Sequence, residues 1–167
     1  MIKKSSYRDG FFTKEAMGGM IFYIVMSAVV LGTIYMLFGT SKLSEMQQGL
    51  TAIHMQVRSL YSTSSSYAGV NNDIAIRAGA VPNKLVKGTA LHNPWGGSIT
   101  ISPATDLGMF QIRLDGIPQE DCIKMATFQP NLWVSVSVNG NTFDTRSGVS
   151  QAATACSQTN SIIYTSR

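Results

Sequence analysis

Asp9-Gly10-Phe11-Phe12-Thr13-Lys14-Glu15 closes a short basic leader and opens about 26 residues, Ala16 to Ser41, without one Asp, Glu, Lys, Arg or His. As a helix the run would reach about 39 Å, against about 30 Å for the hydrocarbon core of a bilayer. It is long enough to cross a membrane. Glu15 stands at its lip, where an ionisable group is costly without a partner and marks a functional residue by default. Lys3, Lys4 and Arg8 precede the run, a bias that keeps an N-terminus in the cytoplasm and sends the C-terminal side across. The later part of the chain is therefore expected outside the cytoplasm.

Past Ser41 the apolar pattern narrows. Leu43, Met46, Leu50, Ile53, Val57 and Leu60 recur at alternating spacings of three and four, with Lys42, Glu45, Gln47, Gln48 and Arg58 between them. The pattern predicts one long helix from about Thr13 to about Tyr61, apolar all round in its first half and one-faced in its second. The second half should pack on a globular part while the first half protrudes. Gly18, Gly19, Gly32 and Gly39 lie in the apolar half, where small residues allow close helix packing. Gly32, near its middle, is the candidate for local unwinding when the surroundings change.

A cleaved secretory signal also has a basic head and an apolar body, but its apolar core is shorter and ends at a small-residue cleavage site. A plain signal-anchor helix fits the length better, yet leaves Gly10 and Glu15 without a role. Of the 167 residues, the N-terminal segment takes about 60, leaving roughly 105 for one small domain. Half of the net charge of +4 sits in the first ten residues, so a nucleic-acid partner is not expected. Cys122 and Cys156 fall in the exported part, where disulfides persist. If paired, they close a loop of about 35 residues, which the chain-entropy model rates at roughly 3 to 4 kcal/mol. The alternative is two buried thiols.

Ser62-Thr63-Ser64-Ser65-Ser66-Tyr67-Ala68-Gly69 reads as a small-polar break that ends the helix. Asn72-Asp73 can cap a short helix through Ile74, Ile76 and Ala78, stopped by Gly79 and Pro82. Asn93-Pro94-Trp95-Gly96-Gly97 makes a turn, and Ser98–Ser102 with Met109–Leu114 read as a hairpin. A short helix is expected from Pro118 to about Thr127, with Glu120 and Asp121 compensating the dipole of its first turn. Leu132, Val134, Val136 and Val138 alternate toward Asn139-Gly140, a strong hairpin signal leading into Thr142–Thr145. A last strand is expected at Ser161–Thr165. The class is α+β: an antiparallel sheet laid on the amphipathic end of a long helix.

Signatures of catalysis are absent from the sequence: no Gly-x-Ser-x-Gly, no Walker lysine loop, no Gly-x-Gly-x-x-Gly opening a helix. His54 and His92 stand apart from cysteines and carboxylates at ligand spacing, so no metal or cofactor is expected. His54 is expected on the flank of the helix and His92 in the turn before Pro94. Trp95 and Trp133 read as core or turn anchors, with an exposed Trp95 available to an interface. The chain reads as a structural protein, not an enzyme.

Gly10-Phe11-Phe12-Thr13-Lys14-Glu15 ahead of the apolar run resembles the class III signal of type IV pilin precursors: glycine before the cut, phenylalanine after it, glutamate at the fifth mature position. The resemblance extends in order along the chain, from long helix through serine-rich connector and antiparallel sheet to a C-terminal loop closed by two cysteines. Arg58-Ser59-Leu60-Tyr61 with Asn93-Pro94-Trp95-Gly96-Gly97 is similar to the PilS-type major pilins of thin conjugative pili, within the type IVb group. Lys14, where relatives tend to be apolar, and the ten-residue leader depart from that group's pattern. Many pilins of the other subclass have a mid-helix proline, which this helix lacks.

The resemblance implies a leader over residues 1–10, a helix over 11–61 with a membrane or filament-core half to residue 41, and a head over 62–167. It implies that a prepilin peptidase cuts after Gly10 and N-methylates Phe11. Glu15 then pairs with the Phe11 amine of a neighbouring copy, with Lys14 of the same chain as the competing partner. The partners implied are further copies of the chain, the inner-membrane assembly machinery, and a recipient or host cell surface. The location changes from inner membrane, with the head in the periplasm, to extracellular pilus. A minor pilin or a type II secretion pseudopilin shares this N-terminus, and a signal-anchored binding module remains the alternative of another class.

Overall fold

The computed structural model describes residues 42–143 and 148–167, together with Met26. Gly10, Phe11, Lys14, Glu15 and, Met26 apart, the uncharged run to Ser41 lie outside the described residues. Among the described residues no helix is long and apolar enough to cross a membrane. The compact unit that contains the head runs from Ser41 to Arg167.

Helix α1 covers residues 42–60. Met46, Leu50, Ile53 and Val57 are fully buried along its inner face, which at about 1.5–3 kcal/mol per large side chain makes that face its main tie to the head. Leu60, the last residue of the expected stripe, is instead 44% exposed, because the helix ends there and the chain turns away. Gly49 marks the closest approach to the 3-10 turn Asn83–Leu85: a Cβ would stand 2.6 Å from Leu85 Cδ1. Helix α2, Asn72–Arg77, is capped one residue earlier than expected, by Asn71, whose Oδ1 accepts from Ile74 N at 2.9 Å.

Strands β1 (Val86–Lys87) and β2 (Ala90–Leu91) form a small separate ribbon. The main sheet holds β3 (Ile99–Pro103), β4 (Phe110–Pro118), β5 (Ser135–Val138), β6 (Asn141–Phe143) and β7 (Thr159–Ser166). Its order is β3-β4-β7-β5-β6, and every pairing is antiparallel. Side chains alternate between buried and partly exposed, as in a sheet with one covered face. Ile99, Ile101, Phe110, Ile112, Leu114, Val136, Val138, Ile162 and Tyr164 join the inner face of α1 in one core. At the β3 edge Asn72 takes the place of a missing strand: its Nδ2 donates to Ile99 O at 2.8 Å and its Oδ1 accepts from Ile101 N at 2.7 Å. The edge is thereby closed to other chains over those two groups.

Beyond the β1–β2 ribbon, for which no element was expected, three elements differ from the sequence reading. The predicted alternation Leu132, Val134, Val136, Val138 changes phase, because Gln129 takes a left-handed conformation and Pro130–Leu132 form a 3-10 turn. Trp133 is then buried and Val134 is 55% exposed. The strand after Asn139-Gly140 covers Asn141–Phe143; Thr145 lies outside the described residues. Helices α3 (Gln119–Ala126) and α4 (Gly148–Ala155) flank the late strands, and α4 occupies a stretch for which no element was expected.

His54 corrects a fourth expectation. It is only 2% exposed, with Nε2 2.7 Å from Ser166 Oγ and its ring against Phe110 (6.1 Å) and Trp133 (4.9 Å). Ser166 Oγ can donate to Leu132 O at 3.3 Å, so Nε2–H donating to Ser166 satisfies both groups and leaves Nδ1 a bare lone pair. Protonation would put an N–H at Nδ1 with no acceptor among the described residues, beside the charge of Arg58. Burial, followed by Arg58, pushes the His54 pKa below its ordinary value. Above pH 6.5, the ordinary value, folded and unfolded chains both keep the imidazole neutral, and its contribution is fully present. As pH falls, the unfolded chain takes up the proton first, and stability declines by at most about 1.4 kcal/mol per unit until the folded imidazole titrates too. Urea unfolding at pH 7 and pH 5 should show this loss in the wild type and a clearly smaller one in His54→Phe; equal slopes would assign it to other groups.

Candidate functional site

Two of the residues singled out from sequence are brought together. Cys122, fully buried on α3, and Cys156, just past α4, form a disulfide with Cα atoms 6.0 Å apart. The bond encloses β5, β6 and α4 in one loop, and Cys156 N also donates to Ala152 O at 2.9 Å at the end of α4.

The mouth of this loop is closed by two asparagines. Asn160, 2% exposed at the start of β7, donates from Nδ2 to Ile117 O (3.0 Å) and Ser157 O (2.7 Å). Its Oδ1 accepts from Ser157 N (2.7 Å) and Asn139 Nδ2 (2.9 Å). Asn139 in turn donates to Ala155 O (2.9 Å) and accepts from Ser161 N (2.9 Å). Asn139 and Gly140 have φ of 52° and 86°, the pair of positive values a two-residue hairpin turn requires. One turn residue thus ties the β5–β6 hairpin to α4 and to β7. The dipeptide signals the hairpin from sequence; the side-chain partners, 16 and 22 positions away, could not be inferred from it.

The Asn93-Pro94-Trp95-Gly96-Gly97 turn is fastened to α3 at Asp121, one residue before Cys122. Asn93, 2% exposed, accepts on Oδ1 from Trp95 N (3.1 Å) and Gly97 N (3.0 Å), and donates from Nδ2 to Asp115 O (2.7 Å). Asp115 belongs to a bulge in β4, where the register against β7 shifts between Leu114 and Ile117 and Gly116 has φ of 73°. Trp95 is half-buried against the core, and its Nε1 donates to Asp121 Oδ2 at 3.1 Å. Asp121 is therefore more than a dipole-compensating carboxylate: it is buried and anchors the indole, while Glu120 is exposed. Desolvation would raise the pKa of Asp115, but hydrogen bonds from Arg113, Ser161 and Ser98 and the charge of Arg113 hold its carboxyl below the ordinary range.

His92 sits before the turn as expected, bridging backbone to Ser98. Among the described residues no group of three His, Cys, Asp or Glu is placed to hold a metal ion. What the geometry builds is a rigid, stapled head whose polar side chains serve mainly structural roles. Gly10, Phe11 and Glu15, the residues read as processing and assembly sites, lie outside the described residues.

A helix packed on a five-stranded antiparallel sheet, with a disulfide-closed C-terminal loop, defines the head of a type IV pilin. The fold is similar to the crystal structure of TcpA, a type IV pilin from Vibrio cholerae El Tor biotype, with a TM-score of 0.55 at 13% identity, covering 76% of this chain and 99% of that one. The family model described as PilS N terminal matches residues 40–167, and the chain belongs to that family of type IV pilins. No curated protein sequence matches it. The chain is accordingly a structural pilin subunit and not an enzyme.

The turn yields a graded test. A Cβ on Gly97 would lie 1.8 Å from Asp115 O, whereas one on Gly96 meets nothing within 4 Å and suffers only its φ of 97°. Gly97→Ala should cost at least about 3 kcal/mol in denaturant unfolding, and Gly96→Ala about 1–3 kcal/mol. Breaking the staple with a Cys122→Ser, Cys156→Ser double substitution should cost about 2–4 kcal/mol by the same measurement.

Proposed function

We propose that this pilin is the main subunit of a type IVb-like pilus, matured by cleavage after Gly10 and assembled into a helical homopolymer for cell–cell contact, including conjugation. The observation that carries the reading is the order of parts: Gly10, Glu15 and an uncharged run stand directly ahead of a pilin head matched from residue 40. On this reading residues 1–10 are the leader, 11–61 the long helix and 62–167 the head. A membrane peptidase cuts after Gly10, where the absence of a side chain suits a narrow site, and N-methylates Phe11.

Cleavage removes Lys3, Lys4 and Arg8, whose charge holds the precursor in the inner membrane with its head in the periplasm. It also creates a cationic amine at Phe11. In an apolar filament core an unpaired Glu15 carboxylate would cost several kcal/mol, so the Phe11 amine of a neighbouring copy is its natural partner and sets axial register. Apolar packing of the uncharged runs supplies most of the cohesion. The inner-membrane assembly machinery and a recipient or host cell surface are the further partners. A minor pilin or a type II secretion pseudopilin would share this N-terminus; the Cys122–Cys156 loop favours a pilin, and abundance in sheared filaments separates major from minor.

Glu15→Ala should leave export and cleavage intact and abolish filaments seen by electron microscopy; normal piliation would remove the role assigned to Glu15. Lys14→Ala should still assemble, and its failure would make Lys14 the partner. In a Gly10→Val strain, N-terminal mass spectrometry should find uncut precursor in the membrane, and mature-length product there would overturn the cleavage site.

A further inference from the structure

We propose that the open cavity at the C-terminal end of α1, about 570 Å³ in volume, binds an anionic saccharide: a sugar carrying a phosphate or a carboxylate. The inference rests on the cell-contact part of the proposed function, and it concerns the head alone.

Charge is the first argument. Arg58 and Arg167 both line the cavity, and no Asp or Glu side chain lines it. Among the described cations, Arg77, Arg113 and Lys124 have a carboxylate partner, Asp73, Asp115 and Asp121, and Lys42, Lys84 and Lys87 have none. Arg58 and Arg167 have none among the described residues. Two arginines that no side-chain carboxylate pairs, lining one concavity, favour an anion with several oxygens, which a planar fork can hold through two bonds at once.

The rest of the wall argues for a sugar. Tyr61 and Tyr67 line it with their rings 5.3 Å apart, and Tyr67 is braced from behind by Phe110 at 4.8 Å. Such rings offer apolar faces to the C–H side of a pyranose and a hydroxyl at the tip. Neither phenol has a hydrogen-bond partner among the described residues, and the same holds for the hydroxyls of Ser59, Ser62 and Ser65, which also line the space. Ser64 Oγ is by contrast spent on Ser66 O at 2.8 Å, and Ser66 Oγ donates to Leu107 O at 3.3 Å, bonds that shape the loop. An extended acidic peptide would seek a row of backbone donors and acceptors at a sheet edge. This wall presents side-chain hydroxyls and ring faces instead.

His54 reports on the site without touching it. Its contacts, Ser166, Phe110 and Trp133, carry no charge near neutrality, and the charge that acts on it is Arg58. An anion held at Arg58 offsets that charge and should move the imidazole titration upward.

The test uses the full chain in detergent micelles, unassembled, so that a failure to bind is distinct from a failure to form filaments. Glucose 1-phosphate, glucuronate, glucose, inorganic phosphate and a hexaglutamate peptide are titrated by NMR. Glucose 1-phosphate or glucuronate should bind at least tenfold more tightly than glucose, phosphate or the peptide, shift the Tyr61 and Tyr67 ring signals and raise the His54 titration midpoint. Arg58→Gln and Arg167→Gln, both at exposed positions, should each weaken binding at least fivefold with unchanged thermal midpoints. Tyr61→Ala should weaken the sugar anions and leave phosphate unaltered. Phosphate binding as tightly as the sugar anions, hexaglutamate matching them, no binding of either sugar anion, or wild-type affinity in both arginine variants would each overturn the proposal.

Discussion

Strand β7 pairs with β4 on one side and β5 on the other, so the strand latest in the sequence holds the two halves of the sheet together. Neither half is a closed unit without it. β3–β4 alone is a hairpin, and a two-stranded hairpin is marginal in water. The same is true of β5–β6. Tyr164, buried in the second half of β7, donates its hydroxyl to Met125 O at 2.8 Å, and burial pushes its phenol far above the ordinary range. The central strand thereby also fixes α3.

This topology brings residues distant in sequence together, which delays the reward for the chain entropy spent. Much of the polar chemistry of the head answers that cost. The Cys122–Cys156 bond shortens the effective path from α3 to the start of β7, and Asn160 then bonds backward to Ile117 and sideways to Asn139. The buried asparagines are satisfied, which is the condition for a polar network to specify structure instead of weakening it. The β4 bulge has a similar origin. Its extra residue turns Asp115 O toward Asn93, and the close approach of Gly97 leaves no room there for a side chain.

Local pattern made legible whatever local physics decides. The three-four spacing of Met46, Leu50, Ile53 and Val57 marked the buried face of α1, and Asn139-Gly140 marked its hairpin. The α+β class followed from the sum of such elements. The same spacing held a signal that went unused: His54 lies four residues after Leu50 and three before Val57, on the inner face and not the flank. Trp133 and Val134 exchanged places because a left-handed Gln129 and a 3-10 turn reset the strand's phase, which alternation cannot anticipate. Helix α4, Gly-Val-Ser-Gln-Ala-Ala-Thr-Ala, has no charge and a single buried alanine between its ends, too little periodicity to announce a helix. Asn72, Asn93 and Asn160 act through partners far along the chain, so their roles required the fold. The cavity by Arg58 was equally hidden, since Arg167 joins it only through tertiary structure.

The place of His54 bears on how a subunit of this kind works. Its ring meets Phe110 of β4, Trp133 ahead of β5 and Ser166 of β7, three segments that come together only in the finished sheet. Helix α1 is therefore a member of the core and not a stalk attached to it: its buried face and the sheet lose their cover together. In the proposed filament, the register between heads depends on each head keeping its place on α1. A helix free to slide by one turn on the head would move about 5.4 Å and blur that register. Sliding is opposed at two places within the contact, by Gly49 pressed against Leu85 and by a buried imidazole that has one hydrogen-bond partner in one position.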